Sequence, residues 1–285
     1  MFSLLLTILP ACLIFSCVRR EPILDDAEEI TVTVDSCWFE LICKIESNMS
    51  DSLPEVNHLD ILIYDAAGVG SLESWNSFGS LRDTIKIRGA KRAKNIVAIA
   101  NSPRSFNRNA IERFDSMSIL EYEFDEDLSD TPIMSACTGA SPGREVRLTL
   151  EPLMSRVRLS RISNNMKSYV LMEDPRIYLE NMNSAAEVLQ RSGFRPAEFL
   201  EGRREKKLPW DIGFFAQQPM TCLYCYPNDS NESTLGTPHT KLVLECEIKG
   251  ATCRFPVDLP ALGRNKTLNV ELSISSEDSY ESKVY

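Results

Sequence analysis

Three runs of alternating apolar and polar residues near the C-terminal end constrain the fold most. They cover residues 221–226, 240–248 and 267–274, and each has the period of a strand with one buried face. Turn residues stand between them, including Pro227-Asn228-Asp229 and Lys249-Gly250. The segment therefore predicts meander strands of a β-sandwich.

The same alternation recurs along the rest of the chain. Ile30, Val32 and Val34 share one face of a predicted first strand. Further strands are predicted at residues 38–45, 58–65, 85–87, 96–101, 144–150 and 153–162. Glu151-Pro152 marks a boundary, because proline cannot continue a ladder of backbone hydrogen bonds. We therefore expect two similar sandwiches, at residues 30–151 and 152–285.

One helix is predicted, in the second half, at residues 184–191. Ser184 can cap the first turn, Glu187 can close a capping box, and Gly193 follows the last turn. The expected fold is thus mostly β, with a short helical insertion in the second sandwich.

The N-terminal segment has the pattern of a secretory signal. Residues 2–15 form an apolar run that is too short to span a bilayer, and polar residues follow it. Ser16-Cys17 behind this run is typical of a bacterial lipobox, in which Cys17 becomes the acylated first residue. Cleavage at Cys12, cleavage without a lipid and a retained anchor are the alternatives. Residues 18–29 are polar and acidic and predict a tether.

The charge of the chain argues against a nucleic-acid partner. Its 285 residues carry a formal net charge of −10, so binding a polyanion would oppose the field of the protein itself. Arg156 and Arg158 alternate with apolar residues, and this pattern predicts a solvated strand face.

No catalytic or metal site is predicted, and no cofactor is implied. The segment Gly139-Ala140-Ser141-Pro142-Gly143 fits the spacing of a hydrolase nucleophile elbow, but Pro142 lacks the N–H that an oxyanion hole needs. Cys222 and Cys225 would point to opposite faces of one strand, which does not suit a metal knuckle. Cys246 and Cys253 could be free thiols or a disulfide across a hairpin. The two histidines, His58 and His239, stand far apart in the sequence.

Several short motifs, in their order along the chain, resemble the fimbrillin superfamily, the type V pilus subunits of the Bacteroidales. Three motifs lie in the first half: an Asp-x-x-Gly turn after an apolar strand at residue 65, a strand that ends in Ala-Asn at residue 100, and a Pro-x-Met-Ser turn at residue 132. Three lie in the second half: a Leu-x-x-Arg-Val-Arg segment from residue 153, an aromatic strand that ends in Tyr-Pro-Asn from residue 226, and Arg-Asn-Lys-Thr-Leu-Asn-Val from residue 264. The resemblance implies two transthyretin-like β-sandwiches and a non-enzymatic, structural role in a cell-surface fimbria.

The resemblance also implies how such a subunit finds its partners. In that family a strand of one subunit completes the open sheet of another, so Ile30, Val32 and Val34 either close the subunit's own groove or form the strand that is removed. Residues 275–285 are polar and acidic and predict a tail that would fill an apolar groove poorly. We therefore expect a membrane-anchored or minor subunit, held at the outer membrane by a lipid on Cys17.

A second hypothesis keeps the fold and changes the role. Trp38, Trp75 and Trp210 could stack on sugar rings in a carbohydrate-binding or adhesin lipoprotein of the cell surface.

Overall fold

The computed structural model of the chain describes residues 28–36, 55–80, 84–89, 92–141 and 146–285. Several predictions lie outside these ranges: the signal segment with Cys17, most of the tether, the strand predicted at residues 38–45, and Trp38.

The described residues of the first half form eight strands and two short helical turns. The helix α1 spans Phe114–Ser118, and a 3-10 turn spans Phe124–Glu126. The strands are β1 (Glu28–Ser36), β2 (Leu59–Asp65), β3 (Leu72–Phe78), β4 (Thr84–Gly89), β5 (Lys94–Ala100), β6 (Glu121–Glu123), β7 (Met134–Ala140) and β8 (Val146–Pro152). Seven of the described strands form one sheet in the order β3-β2-β5-β7-β8-β1-β4.

This sheet folds over on itself where β7 meets β8. The two strands pair only through Met134 with Pro152 and Ser135 with Glu151. Beyond this corner, the inner residues of β2 and β5 face those of β8 in one apolar core, which includes Leu59, Ile61 and Leu148. The first half is therefore a sandwich of β3-β2-β5-β7 against β8-β1-β4. In a strand that was predicted from alternation, such as β8, the apolar side chains are the ones that enter the core.

The second half contains the remaining strands. They are β9 (Ser155–Asn164), β10 (Met172–Glu180), β11 (Met182–Asn183), β12 (Ala185–Glu187), β13 (Phe199–Leu200), β14 (Lys206–Lys207), β15 (Thr221–Cys225), β16 (Lys241–Ile248), β17 (Ala251–Asp258), β18 (Thr267–Ser276) and β19 (Ser279–Val284). They form a sheet β14-β10-β16-β17 and a sheet β15-β9-β18-β19, and small pairs β11-β13 and β12-β6. The turn between β16 and β17 has Lys249 at φ 53° and Gly250 at φ 78°, which is the conformation of a tight hairpin.

The second core lies between these two sheets. Val157, Leu244, Phe255 and Val270 come from four different strands and belong to one buried cluster. The same cluster continues into the first half through the outer faces of β2 and β5 and through residues of the segment between β5 and β7, such as Phe124. The prediction of a mostly β fold is confirmed.

The two halves share a strand arrangement. In the first half β1 runs parallel to β8 and antiparallel to β4. In the second half β9 runs parallel to β18 and antiparallel to β15. The opening strand of each half therefore lies between the last long strand and a middle strand of the same half.

The predicted helix at residues 184–191 is wrong. Ala185–Glu187 instead form β12, which pairs antiparallel with β6. Glu187 is buried and accepts hydrogen bonds from the backbone N–H and the Nε of Arg191, at 3.0 and 2.8 Å. Backbone pairing with a distant segment outweighs the local helix signal, because propensity contributes less than tertiary contacts. The short helix of the described residues is α1, in the first half.

The polar residues of the predicted tail form part of a sheet. Residues 275–276 complete β18, and most of the rest forms β19, an edge strand paired with β18. Tyr280 packs its ring against Phe255 with the centroids 5.5 Å apart, and its hydroxyl donates to the carbonyl of Pro256. Tyr280 and Val284 pack against the core of the second sandwich, although the composition of this strand is polar.

The prediction of a solvated arginine face on β9 is wrong as well. Arg156 and Arg158 are both buried. The Nε of Arg158 donates to the side-chain oxygen of Asn269 on β18, at 2.8 Å. Long side chains on a flat sheet face lie along their neighbours and lose water while remaining on the outer side.

Candidate functional site

The candidate site is the position of β1 in the first sandwich. The backbone of β1 pairs Val32 with Val146 and Val34 with Leu148 in the parallel ladder to β8. On its other side it pairs Ile30 with Ile87 and Val32 with Ile85 in the antiparallel ladder to β4. The structure thus places the predicted residues Ile30, Val32 and Val34 at alternate positions of an interior strand.

The side of the site that β8 provides is apolar. Val146, Leu148 and Leu150 alternate along β8 and are buried in the core of the first sandwich, while Arg147 and Thr149 between them are exposed. A strand seated in the place of β1 meets the parallel edge of β8 on one side and the antiparallel edge of β4 on the other. Such a position binds a strand mainly through backbone hydrogen bonds, and its apolar row sets the register.

The opposite end of the sheet is closed by a polar network on β3. Asp60 of β2 accepts hydrogen bonds from Trp75 Nε1 at 2.9 Å and from the Ser77 hydroxyl. Lys94 of β5 is fully buried and donates to Glu73 Oε1 at 2.6 Å. These side-chain contacts tie β3 to its sheet, so this edge differs from the β1 position, where side chains of β8 form an apolar row.

The C-terminal end of the second half is fixed to its sandwich. The backbone groups of Asn269 and Tyr285 exchange two hydrogen bonds, at 2.8 and 3.1 Å. The Tyr285 hydroxyl donates to Glu271 Oε1 at 3.0 Å. Residues 279–285 therefore occupy a sheet edge and are not a free segment in this structure.

Arg264 joins the two halves from the loop between β17 and β18. Its guanidinium donates to the carbonyls of Pro152, Val188 and Ser135, at 3.0, 3.1 and 2.9 Å, and also to that of Glu151. Burial lowers the pKa of this guanidinium to about 10, which leaves it charged at neutral pH. Four carbonyl groups from three segments are thus held by one cation.

Asp127 lies near the same junction and is fully buried. Its Oδ1 accepts a hydrogen bond from the backbone N–H of Ile133 at 2.8 Å. Burial raises the pKa of this carboxyl to about 7, against the opposing effects of the Ile133 N–H, Tyr226 and the charges of Arg204 and Arg264. A buried carboxyl in this state stabilises the fold most when it is protonated.

The other residues considered in the sequence hold structural positions. Cys225 is buried in the core and Cys222 is half-buried, in agreement with opposite faces of β15. Cys246 and Cys253 are opposite each other in the β16-β17 ladder, and both are free thiols in this structure.

Each histidine has a carboxylate partner that the sequence analysis did not identify. His58 Nε2 lies 3.0 Å from Asp60 Oδ2, and His239 Nε2 lies 2.8 Å from Asp258 Oδ1. In both cases the interaction is a local ion pair or hydrogen bond.

The described residues include only the first part of the candidate hydrolase elbow. Gly139 and Ala140 end the strand β7, and residues 142–145 lie outside those ranges. The described part of the chain contains no cluster of three or more His, Cys, Asp or Glu side chains that could hold a metal ion. None of its helices has the length and apolar character needed to cross a membrane.

The tryptophans differ in their surroundings. Trp75 is bonded to Asp60 and packs edge-on against Phe106, with the centroids 5.9 Å apart. Trp210 lies in an exposed loop of the second half and donates its Nε1 hydrogen to Gln217 Oε1 at 2.6 Å.

Solved structures of bacterial surface proteins share this fold. A protein of Parabacteroides distasonis described as a cell adhesion protein matches with a TM-score of 0.62 and 13% identity, over 91% of this chain and 96% of that one. A fimbrial assembly protein of the same organism matches with a TM-score of 0.55 and 9% identity, over 91% and 95% of the two chains. A protein of Bacteroides thetaiotaomicron described as polysaccharide-binding matches with a TM-score of 0.51 and 10% identity, over 90% and 95%.

Sequence comparison alone does not find these similarities. No protein-family model matches the chain, and no curated protein matches it at a significant level. The comparisons with solved structures therefore show the fold alone: this chain folds as these cell adhesion and fimbrial assembly proteins of Parabacteroides distasonis do.

Proposed function

We propose that this chain is a non-enzymatic structural subunit of a cell-surface fimbria, in the membrane-anchored or a minor position. It joins other fimbrial subunits by β-strand exchange. Its two transthyretin-like sandwiches comprise residues 30–151 and 152–285. The shared fold with a fimbrial assembly protein and with cell adhesion proteins supports this proposal.

The observation that carries the proposal is the position of β1 within its sheet. This strand comes first in the described chain, lies between two strands of its sheet, and runs along the apolar row of Val146, Leu148 and Leu150. A partner strand that replaces β1 would regain both ladders of backbone hydrogen bonds beside the apolar row of β8. A subunit that keeps β1 ends growth on that side.

The lipid at the N-terminus completes the anchored state. Ser16-Cys17 follows the apolar run of residues 2–15, and acylation of Cys17 would hold the chain at the outer face of the outer membrane, with residues 18–29 as the tether.

Mass spectrometry of the mature N-terminus from native membranes tests the anchored state. We expect an acylated Cys17 and retention of residues 30–34. Cys17→Ser should abolish the lipid, and Cys12→Ser serves as the matched control and should leave it in place. A mature chain that begins beyond residue 34 would contradict the anchored state and indicate a polymerising subunit.

A nicked chain tests strand exchange itself. A site for a specific protease is placed between residues 40 and 50, and the cut chain is incubated with a synthetic peptide of residues 28–36. We expect the peptide to displace β1, because it can form the same two ladders. A peptide with Ile30, Val32 and Val34 replaced by Asn is the control and should not displace it. Equal displacement by the two peptides, or by neither, would count against strand exchange.

A carbohydrate-binding adhesin lipoprotein remains the second candidate. The exposed Trp210 favours it, together with the fold shared with a protein described as polysaccharide-binding. A glycan array probed with the chain and with Trp210→Ala separates the candidates. Glycan binding that this substitution abolishes would support the adhesin.

A further inference from the structure

A cluster of exposed apolar side chains covers two neighbouring loops of the second half, at residues 165–171 and 208–220. Their exposed fractions are 91% for Tyr169, 79% for Phe215, 55% for Phe214, 48% for Trp210 and 43% for Leu171. We call these five residues the aromatic patch. The rings of Tyr169 and Phe214 lie 5.1 Å apart, and those of Phe214 and Phe215 lie 5.9 Å apart at 84°. The rings of Tyr169, Phe214 and Phe215 therefore form one continuous surface, and Trp210 and Leu171 lie in the same two loops.

The loops that carry the patch are held in place by hydrogen bonds. Met172 and Ile212 exchange two backbone bonds, at 3.1 and 2.9 Å, and Ile162 and Gln217 exchange two more, at 2.9 and 2.8 Å. The amide of Asn164 donates to the carbonyl of Val170 at 2.7 Å. The rings are thus presented by a fixed framework, which reduces the entropy lost when a partner binds.

The patch lies at the end of the second sandwich that is far from the first half. β9 leaves the junction at Ser155 and reaches the patch at Asn164, a distance of roughly 30 Å along an extended strand. This end of the chain is therefore open to a partner without interference from β1 or the junction.

Three polar side chains of the patch and its loops, those of Trp210, Gln217 and Asp211, are already engaged in hydrogen bonds. Trp210 donates to Gln217, Gln217 donates to the carbonyl of Asp211 at 3.2 Å, and Asp211 accepts from the backbone of Asp174 at 3.0 Å. A sugar would find ring faces but few free partners for its hydroxyl groups, whose burial without hydrogen bonds is costly. The patch therefore favours an apolar partner over a glycan.

The charges of the two loops narrow the choice of partner further. The two loops contain one cation, Lys167, and one anion, Asp211, in a chain of net charge −10. An anionic lipid surface or a nucleic acid would meet no basic cluster here. Two patches can face each other without repulsion between like charges at the contact.

The area matches a contact between two such patches. From typical aromatic side-chain areas, the four rings expose roughly 550 Å², so two facing patches would bury roughly 1,100 Å². Specific interfaces begin at roughly 1,000 Å², and those at this lower end are weak or transient.

We propose that the aromatic patch is a self-association surface, which binds the same patch of a second copy of this chain about a two-fold axis. Such a contact is isologous, so each residue near the axis meets its own equivalent. The two first halves then lie at opposite ends of the dimer. This inference does not depend on strand exchange or on the lipid.

Photo-crosslinking in cells that produce the full chain tests the proposal. The photoreactive analogue p-benzoylphenylalanine replaces Phe215, and in the control it replaces Leu235, which is 96% exposed in a different loop. We expect the probe at 215 to give a product of twice the mass of the monomer in the same cells, with peptides of this chain on both sides of the link. The probe at 235 should give none.

A second substitution shows that the product depends on the patch. Phe214→Glu, added to the chain with the probe at 215, should reduce the dimer product at least tenfold, because it places two carboxylates at the contact. Since Phe214 is more than half exposed, the thermal unfolding midpoint should remain within about 3 °C of the parent. If Phe214→Glu fails to fold, Tyr169→Glu replaces it, since Tyr169 is almost fully exposed.

The other outcomes overturn the proposal. Crosslinks from position 215 to lipid, to a glycan or to a different protein would assign the patch to that partner. The absence of any product, or equal dimer formation from positions 215 and 235, would show that the patch does not mediate self-association.

Discussion

The guanidinium of Arg264 donates a hydrogen bond from Nε to the backbone carbonyl of Pro152, 3.0 Å away, and so connects the second sandwich to the last strand of the first. The same side chain also reaches Ser135 and Val188. One cation that binds several carbonyl groups therefore adds to the apolar cluster that the two halves share.

Arg264→Met should reduce the free energy of unfolding by about 2–4 kcal/mol, because it removes the donor from several partly buried carbonyls. Urea unfolding measures this change. Arg195→Met is the control, since Arg195 pairs with Asp229 on the surface, and should cost less than about 1 kcal/mol. Equal losses from the two substitutions would show that Arg264 contributes no more to stability than a surface ion pair.

Asp127→Asn should change how stability depends on pH. The pKa of Asp127 is about 7 in the folded chain and 3.8 for an unperturbed aspartate, so between these pH values the folded state holds a proton that the unfolded state has released. The free energy of unfolding contributed by this group therefore falls as pH rises from about 4 to 7.

We expect the Asn variant to lose this slope and to be more stable than the parent at pH 8, by about 2–4 kcal/mol. Urea unfolding at pH 5, 6.5 and 8 measures both effects. Asp125→Asn, on the surface of the same 3-10 turn, controls for the change in net charge. A parent with the same slope as the Asn variant would contradict the prediction.

Glu73→Leu should be strongly destabilising, because it leaves the buried ammonium of Lys94 with only the carboxylate of Asp65, 4.0 Å away. We expect a loss of about 3–5 kcal/mol, and recovery of most of it in the double variant with Lys94→Met, since an apolar pair can replace a buried ion pair. A double-mutant cycle in urea measures both. Additive losses would show that the pair is not coupled.

Leu148→Ala should weaken both the retention of β1 in its sheet and the packing of the first core. Leu148 is 1% exposed on β8, next to the register position of Val34, and its truncation should cost about 2–4 kcal/mol. Thr149→Ala, on the exposed side of the same strand, should cost less than about 1 kcal/mol. In the nicked chain, Leu148→Ala should also speed the release of β1. Unchanged release would argue that β8 side chains do not retain this strand.

The strands that could be predicted from the sequence are those in which alternation coincides with burial on one side. Residues 144–150 and 267–274 show this, and the structure has β8 and β18 there. β10 was missed, because Pro175 and the bulge between Glu173 and Arg176 interrupt its pattern. β19 was missed because its edge position leaves most of its residues polar.

The false helix shows a different limit. Ser184, Glu187 and Gly193 satisfy the rules for helix ends, and Glu187 does bond to Arg191. The partner of this segment is β6, more than 60 positions away along the chain, and no local pattern records that pairing.

For the candidate site, the sequence predicted the first strand but not its neighbours. Ile30, Val32 and Val34 indicated a strand, while the parallel ladder to β8 joins segments separated by more than 100 positions. The aromatic patch left only a weak signal: two consecutive phenylalanines, Phe214 and Phe215, in a loop between Pro209 and Pro219. Because no alternation of apolar and polar residues surrounds this pair, the sequence does not indicate whether the two rings face the core or water.

β1 and β9 hold matching positions in the two halves, but their connections along the chain differ. β9 is joined to the first sandwich before it and to the rest of the second sandwich after it, so its removal would separate the two halves. β1 is followed by the rest of the first sandwich, and a single cut behind it would separate it from the sandwiches while leaving both of them joined. Removal of β1 therefore leaves the two halves covalently connected, whereas removal of β9 does not.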